Sequence, residues 1–435
     1  MKRIGKIFIT AGAVIFAAVF TAILYVYLKF PPQAFHGKKP VPESQLPPDT
    51  VMTEEQVISD RNEMIQYVEN IHPYFLLIAD KSAYLVAKGN YVAATSCNMT
   101  VSQFCEKTSM YLCFFRDAHT RIYWNENQMI DAELDYRNNK LYFVGKPFFV
   151  TKIGGIPVSS VLSVVDRILP AENDMAKVCN YTEYSKYGHI IKAAGGFADN
   201  GDVQITFSDD SVEKYRMIPP RLSSTVPTTN SWYMDNDIFV VDFNTCNDND
   251  ELSAIVTELE QALARGTKKV IIDARGNEGG NSDACIKLLK ALGMVPPEYG
   301  MFVRFSREAA TQNGYTCDSG SFKKERDKTV IQNPSIQLVV LTDRHTFSSA
   351  TMLAVYVRDG GLGTIIGEPS PNSPSCYGDV IFFHLDNSHL FGTISHKMFD
   401  RPDDRKMDEN MLIPDITTNS GEALSVAEKF LSAKM

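Results

Sequence analysis

Two adjacent serines, Ser348 and Ser349, follow Thr342-Asp-Arg-His-Thr-Phe347, which itself follows an apolar run ending at Val339-Val340-Leu341. That order predicts a buried strand, a sharp turn, and a helix whose first turn carries two hydroxyls. A helix start offers unpaired backbone N–H groups and a partial positive charge. A serine placed there can attack a carbonyl while neighbouring amides hold the oxyanion that forms. An isolated serine at such a turn more often just caps the helix. What shifts the balance toward chemistry is a second junction upstream, Val270-Ile-Ile-Asp-Ala-Arg-Gly-Asn-Glu-Gly-Gly280, again an apolar strand running into a loop. Its glycines let backbone amides approach a bound group closely. The loop lacks the Lys-Ser or Lys-Thr that follows the glycines of a phosphate-binding loop. A glycine junction and a serine junction lying side by side in a parallel sheet suit acyl transfer better than nucleotide binding.

The elements that must hold these junctions are readable from about Asn230 onward. Ile238 to Asp242, Lys269 to Asp273 and Leu338 to Leu341 read as strands; Glu251 to Arg265, Asp283 to Leu292 and Ser349 to Arg358 read as helices. Such alternation implies a mainly parallel sheet covered by helices. Between Lys140 and Pro220 the texture changes to short strands and turns, with Phe148 to Val158 reading as strand, tight Gly154-Gly155 turn and strand. Further upstream, Thr53-Glu-Glu-Gln56 is a capping signal, and Val57, Ile58, Met64, Ile65 and Val68 recur at helical spacing. That helical region extends to about Phe115 and breaks at His72-Pro73, where His72 is expected to pack rather than react.

Composition bounds the function. With 435 residues, of which 44% are hydrophobic, the chain can fill two or three globular cores. A net charge of −9 without a dense basic patch argues against a nucleic-acid partner. The eight cysteines form no Cys-x-x-Cys pair and no Cys/His cluster of zinc-finger spacing, so neither a disulfide framework nor a metal site is implied. Ile7 to Leu28 carries no charge and is long enough to cross a bilayer; Lys2, Arg3 and Lys6 precede it. Its bulky end at Tyr25-Val-Tyr27 reads as an uncleaved signal anchor, which places the remainder outside the cytoplasm. Pro31, Pro32 and the prolines at 40, 42, 47 and 48 then read as an extended tether.

At Ile272-Asp-Ala-Arg-Gly-Asn-Glu-Gly-Gly280, Thr346-Phe-Ser-Ser-Ala350 and Gly363-Thr-Ile-Ile-Gly-Glu-Pro369, the chain resembles the tail-specific, or C-terminal processing, serine proteases. Asp117-Ala-His-Thr120 and Leu412-Ile-Pro-Asp415 extend the resemblance, and the blocks stand in the family's order. The family implies an α/β fold with a crotonase-like core of parallel sheet and helices, an inserted PDZ-like domain and an N-terminal helical region. The expected boundaries are 1–30 for the cytoplasmic tail and transmembrane anchor, 31–50 for the tether and 51–130 for the helical region. A PDZ-like domain is expected over 131–220 and the protease core over 221–435.

The resemblance also implies the roles at the site. It places the nucleophile at Ser348, an oxyanion amide at Ser349 and a second amide at Gly279 or Gly280. Many members use a lysine base a few residues beyond Gly-Glu-Pro, where this chain has Ser373, which cannot serve as a base. Tricorn-like members use a histidine, and His119 matches that motif, with His345 a second candidate. Asp408 or Glu409, shortly before Leu412-Ile-Pro-Asp415, would orient the imidazole. Arg275 and Asn277 are expected to shape the glycine loop. The expected function is that of a single-pass cell-membrane serine endopeptidase of the His-dependent branch, acting outside the cytoplasm on peptide or protein substrates. No cofactor or metal is expected, and the oligomeric state is left open. A catalytically silent peptide-binding relative is the alternative. A crotonase-type acyl-CoA enzyme shares the core but requires neither a nucleophilic serine nor an anchor.

Overall fold

The computed structural model describes residues 37–40, 44–124, 128–198, 201–220 and 228–433. The N-terminal region is helical as its periodicity predicts: α1 (Glu54–Ile71), α2 (Ser82–Ala94) and α3 (Val101–Leu112). Thr53 and Thr100 close reciprocal capping boxes with Gln56 and Gln103, which satisfies the first free amides of α1 and α3. Val57, Met64, Ile65 and Val68 of α1 are buried among Phe104, Tyr111 and Phe115. A short strand β1 (Arg121–Ile122) then leads out of this region.

Residues from Met129 onward build a five-stranded antiparallel sheet from β2 (Met129–Ile130), β3 (Val150–Ile153), β4 (Ile156–Pro157), β5 (Asp202–Phe207) and β6 (Val212–Ile218), in the order β2-β6-β5-β3-β4. Gly154 and Gly155 both have positive φ, 58° and 84°, which makes the tight turn between β3 and β4. Helix α4 (Val158–Ile168) lays Val161, Val164, Val165 and Ile168 on this sheet, and α5 (Asp174–Tyr184) follows it.

The remaining chain forms a mixed α/β core. In chain order it comprises β7 (Ser231–Asp235), β8 (Ile238–Asp242), α6 (Asp250–Ala264), β9 (Lys269–Asp273), α7 (Ser282–Ala291), β10 (Gly300–Arg304), β11 (Ser321–Lys324), β12 (Gln337–Thr342), α8 (Ser349–Gly360), β13 (Thr364–Gly367), β14 (Cys376–His384), β15 (Phe391–Asp400), β16 (Ile416–Thr417) and α9 (Ala423–Ala433). Six strands pair in the order β7-β8-β9-β12-β13-β16, parallel throughout except for β7 against β8. Helices α6, α7 and α8 cover one face and α9 the other, so the central strands are apolar on both sides. A second sheet, β11-β10-β15-β14, receives β1 as an extra strand on β15, with Gly392 opposite Ile122 and Thr393 opposite Arg121.

Because β9 and β12 are parallel neighbours, with Asp273 opposite Leu341, the glycine loop and the serine turn leave the sheet side by side at the same end. Among the described residues no helix is long and apolar enough to cross a membrane. The anchor expected over residues 1–30 lies outside the described residues, and the assignment to a cell membrane with an outward-facing catalytic domain is corrected: no described element supports it. All eight cysteines are free thiols.

Candidate active site

Ser348 is the residue that local geometry singles out. It ends the turn behind β12 with φ 53° and ψ −125°, a backbone that a side chain makes unfavourable by ~1–3 kcal/mol. Cross-links hold the turn in that shape. The Asp343 N–H donates to Thr346 Oγ1 at 2.9 Å, and Thr346 Oγ1 donates to the Ala274 carbonyl at 2.8 Å. The Phe347 N–H donates to the Asn277 carbonyl at 2.9 Å, tying the serine turn to the glycine loop. Ser348 occupies the N-cap position of α8, yet its side chain makes no capping hydrogen bond. Ser349 is different: it is buried and its hydroxyl donates to the Gly280 carbonyl at 2.8 Å. Only the Ser348 hydroxyl is free of a structural task.

The glycine loop fits against this serine. Gly279 has φ +104°, and a Cβ there would lie 2.7 Å from Ser348 Cβ and 3.0 Å from the Ser349 nitrogen. Only a hydrogen fits. Its N–H donates to Asn277 Oδ1 at 2.8 Å, while buried Asn277 also donates to the Phe243 carbonyl at 2.7 Å. Gly280 packs on Cys246, whose carbonyl oxygen would stand 2.8 Å from an added Cβ. Arg275 Nε donates to Asp273 Oδ1 at 2.8 Å, so it braces the loop from below.

His119 comes from the other sheet. Thr393 Oγ1 donates to its carbonyl at 2.7 Å and the Ser395 N–H to Thr120 Oγ1 at 3.0 Å, which staples the loop 117–120 to β15. The ring lies 4.7 Å from the Phe347 ring and over Gly378, where an added Cβ would come 3.9 Å from its Cε1. Nδ1 faces Asp117 Oδ1 at 3.6 Å. Neither ring nitrogen has a hydrogen-bond partner, so Ser348 and His119 line one cavity of about 330 Å³ without a hydrogen bond between them. Leu169, Ala176, Cys179 and Tyr184 form an apolar wall of that cavity, and exposed His345 lies on its rim.

The acids beside the imidazole are not the two expected from the C-terminal motif. Glu409 accepts from Arg401 Nη1 at 2.9 Å, a pairing that buried Arg401 shares with Asp359, and Asp408 is exposed. Neither Asp408 nor Glu409 belongs to the cluster around His119, whose acids are Asp117 and Glu172. Buried Asp117 is the acid that lies beside the ring. It accepts from the His119 backbone N–H at 2.9 Å, from Thr120 Oγ1 at 2.5 Å and from His72 Nε2 at 3.3 Å. The Tyr74 N–H donates to His72 Nδ1, which leaves the His72 proton on the nitrogen facing Asp117. Burial pushes the Asp117 carboxyl up, but the contacts with His119 and His72 outweigh it and hold the group well below the usual carboxylate range. His72 is fully buried against Phe115 and Tyr377, so its packing role and its support of Asp117 coincide.

Glu172 is the residue that sequence reasoning missed. It precedes Asn173, the N-cap of α5, and reads there as an ordinary acid at a helix start. Only the fold brings it to His119. By type and spacing Asp117, His119 and Glu172, mutually within 4.8 Å, are a set that could ligate a metal ion. Both carboxylates, however, already accept hydrogen bonds on each oxygen from this chain's own donors. Ser373, at the position of the family's lysine, donates its hydroxyl to the Asn410 carbonyl at 2.8 Å.

Residues 237–418 match the family model described as peptidase family S41. No curated protein matches the sequence. Among solved structures, mature CPAF is similar at 14% identity and a TM-score of 0.56, over 87% of this chain and 96% of that one. Mature CPAF complexed with lactacystin is similar at 14% identity and a TM-score of 0.55, over 87% and 97%.

Proposed function

We propose that this chain, whose residues 237–418 match the model of peptidase family S41, is a serine-type peptidase with Ser348 as its nucleophile and His119 as its general base. Ser348 Oγ adds to the carbonyl carbon of a peptide bond as its proton passes to the imidazole. Nδ1 is turned to Asp117, which leaves Nε2 to take that proton. The oxyanion sits against the N–H groups of Ser349 and Gly280. Gly279, whose own N–H is given to Asn277, makes room for the serine. Collapse breaks the C–N bond, the imidazolium returns its proton to the leaving amine, and water repeats the sequence on the acyl-enzyme. Asp117 holds the ring and stabilises its charged form.

The observation that carries this reading is the strained, uncapped Ser348 at the mouth of the cavity it shares with His119. A hydrogen bond between the two is required only with substrate bound, when such contacts tighten. The reaction is internal cleavage of peptide or protein substrates. The five-stranded unit supports a PDZ-like role in presenting them: the Gly154-Gly155 hairpin and α4 flank a sheet to which an extended peptide could add.

A fluorophosphonate with mass-spectrometric location of the adduct tests the proposal, alongside digestion of a disordered protein. Labelling and turnover are expected at Ser348 and should vanish in His119→Ala. Retained peptide binding with neither label nor digestion would instead identify a silent binding protein.

A further inference from the structure

Glu172 enters the cluster from outside the sheet that carries Ser348. It lies between α4 and α5, in the unit built on the five-stranded sheet. One carboxylate oxygen, Oε1, accepts from the Ala118 N–H at 3.2 Å; the other, Oε2, accepts from Asn372 Nδ2 and from the Ser373 N–H, both at 2.7 Å. A single side chain thus spans the loop bearing His119 and the segment behind β13. Its neighbour Asn173 donates to the carbonyls of Ser370 and Asn410, each at 3.2 Å, so the contact is a docked dipeptide rather than one stray acid. His119, Asp117 and Glu172 then bring one imidazole and two carboxyl groups within 4.8 Å of each other.

We propose that Glu172 is a positioning residue for His119: as a carboxylate it fixes the imidazole loop and sets a second negative charge beside the ring when the ring takes the Ser348 proton. This rests on the Ser348–His119 reading and adds to it a group from a different part of the fold. The titratable groups facing Glu172 are His119 and Asp117 from the loop and the Cys376 thiol from β14, itself pushed up by burial. No Lys or Arg forms an ion pair with Glu172 among the described residues, so the imidazolium is the cation it would meet. Burial pushes the Glu172 carboxyl up to about 7; the charge on His119 opposes this, the charge on Asp117 adds to it, and the Ser373 and Asn372 hydrogen bonds oppose it. The sign follows: below about pH 7 Glu172 is neutral and acts through hydrogen bonds alone, and above it the carboxylate also acts through charge.

The test is the rate of fluorophosphonate labelling at Ser348 in the full chain, measured from about pH 5 to 9 for wild type and Glu172→Gln. The ratio of wild-type to variant rate is expected near 1 at the acid end. It should climb through about pH 7 to roughly tenfold, the equivalent of one pKa unit of differential interaction. A merely structural role predicts a ratio that does not change with pH, and that result overturns the proposal. If Glu172→Gln loses the fold by circular dichroism, Asn372→Ala reads the same point with Glu172 in place. Removing one donor to the carboxylate should move the wild-type limb to higher pH, and an unmoved limb overturns the proposal. A wild-type chain that never labels at Ser348 refutes the nucleophile as well, whereas labelling with a flat ratio refutes only the role of Glu172.

Discussion

Replacing Ser348 by glycine and by alanine separates strain from capping. At φ 53° and ψ −125° the residue lies outside the β region, the right-handed α region and the small left-handed one. The cost to any residue with a Cβ is ~1–3 kcal/mol. Glycine escapes most of that cost but loses ~0.5–1 kcal/mol through the greater freedom of the unfolded chain. Ser348→Gly should therefore be at least as stable as wild type, by up to about 2.5 kcal/mol, on those two ranges. Ser348→Ala keeps the Cβ and forfeits no capping bond, since the hydroxyl makes none, so it should match wild type within about 0.5 kcal/mol. A serine that worked as a cap predicts another order, with wild type highest, glycine a few tenths lower and alanine ~1 kcal/mol lower. Urea unfolding of the three proteins at one pH reads the difference directly, and both variants should be inert to the fluorophosphonate. A wild type more stable than Ser348→Gly would refute the argument that strain is stored at this residue for chemistry.

Other perturbations bear on the rest of the site. Gly279→Ala puts a Cβ 2.7 Å from Ser348 Cβ at a φ of +104°, and labelling should fall by about 10²-fold or more, the scale on which an ångström of misplacement acts. Asp408→Asn and Glu409→Gln should leave the labelling rate within about twofold of wild type; a large loss in Glu409→Gln would restore the C-terminal acid as the partner of His119. Because the Asp117 carboxyl is held low, its stabilisation is present above the usual carboxylate range and is lost as pH falls through the folded-state value. Asp117→Asn should thus cost about 1–3 kcal/mol in urea unfolding at pH 7, from buried donors left facing an amide. The gap to wild type should narrow on acidification; a constant gap would show that charge contributes nothing.

Local order decided much of this protein before any long-range contact was considered. The alternation of Ile238 to Asp242, Asp250 to Ala264 and Lys269 to Asp273 is a pattern of apolar periods, and periodicity depends only on neighbours along the chain. The same holds for the glycines at 279 and 280 and for the serine turn, because positive φ and helix starts have local signatures. Parallel pairing of β9 with β12 then follows from the right-handed strand–helix–strand rule, so the meeting of those two loops was also foreseeable.

The acid partners of His119 were not. Asp408 and Glu409 were placed by their distance from a closing motif, but that measure says nothing of Arg401, which the fold buries and which claims Glu409 and Asp359. Glu172 lies 54 residues from Ala118 and 201 from Ser373, and in sequence it looks like any acid ahead of a helix cap. Whether a carboxyl is a surface charge or a partner of an imidazole depends on which donors and how much water surround it. That environment is made by segments far apart in the chain, and only tertiary packing brings them together.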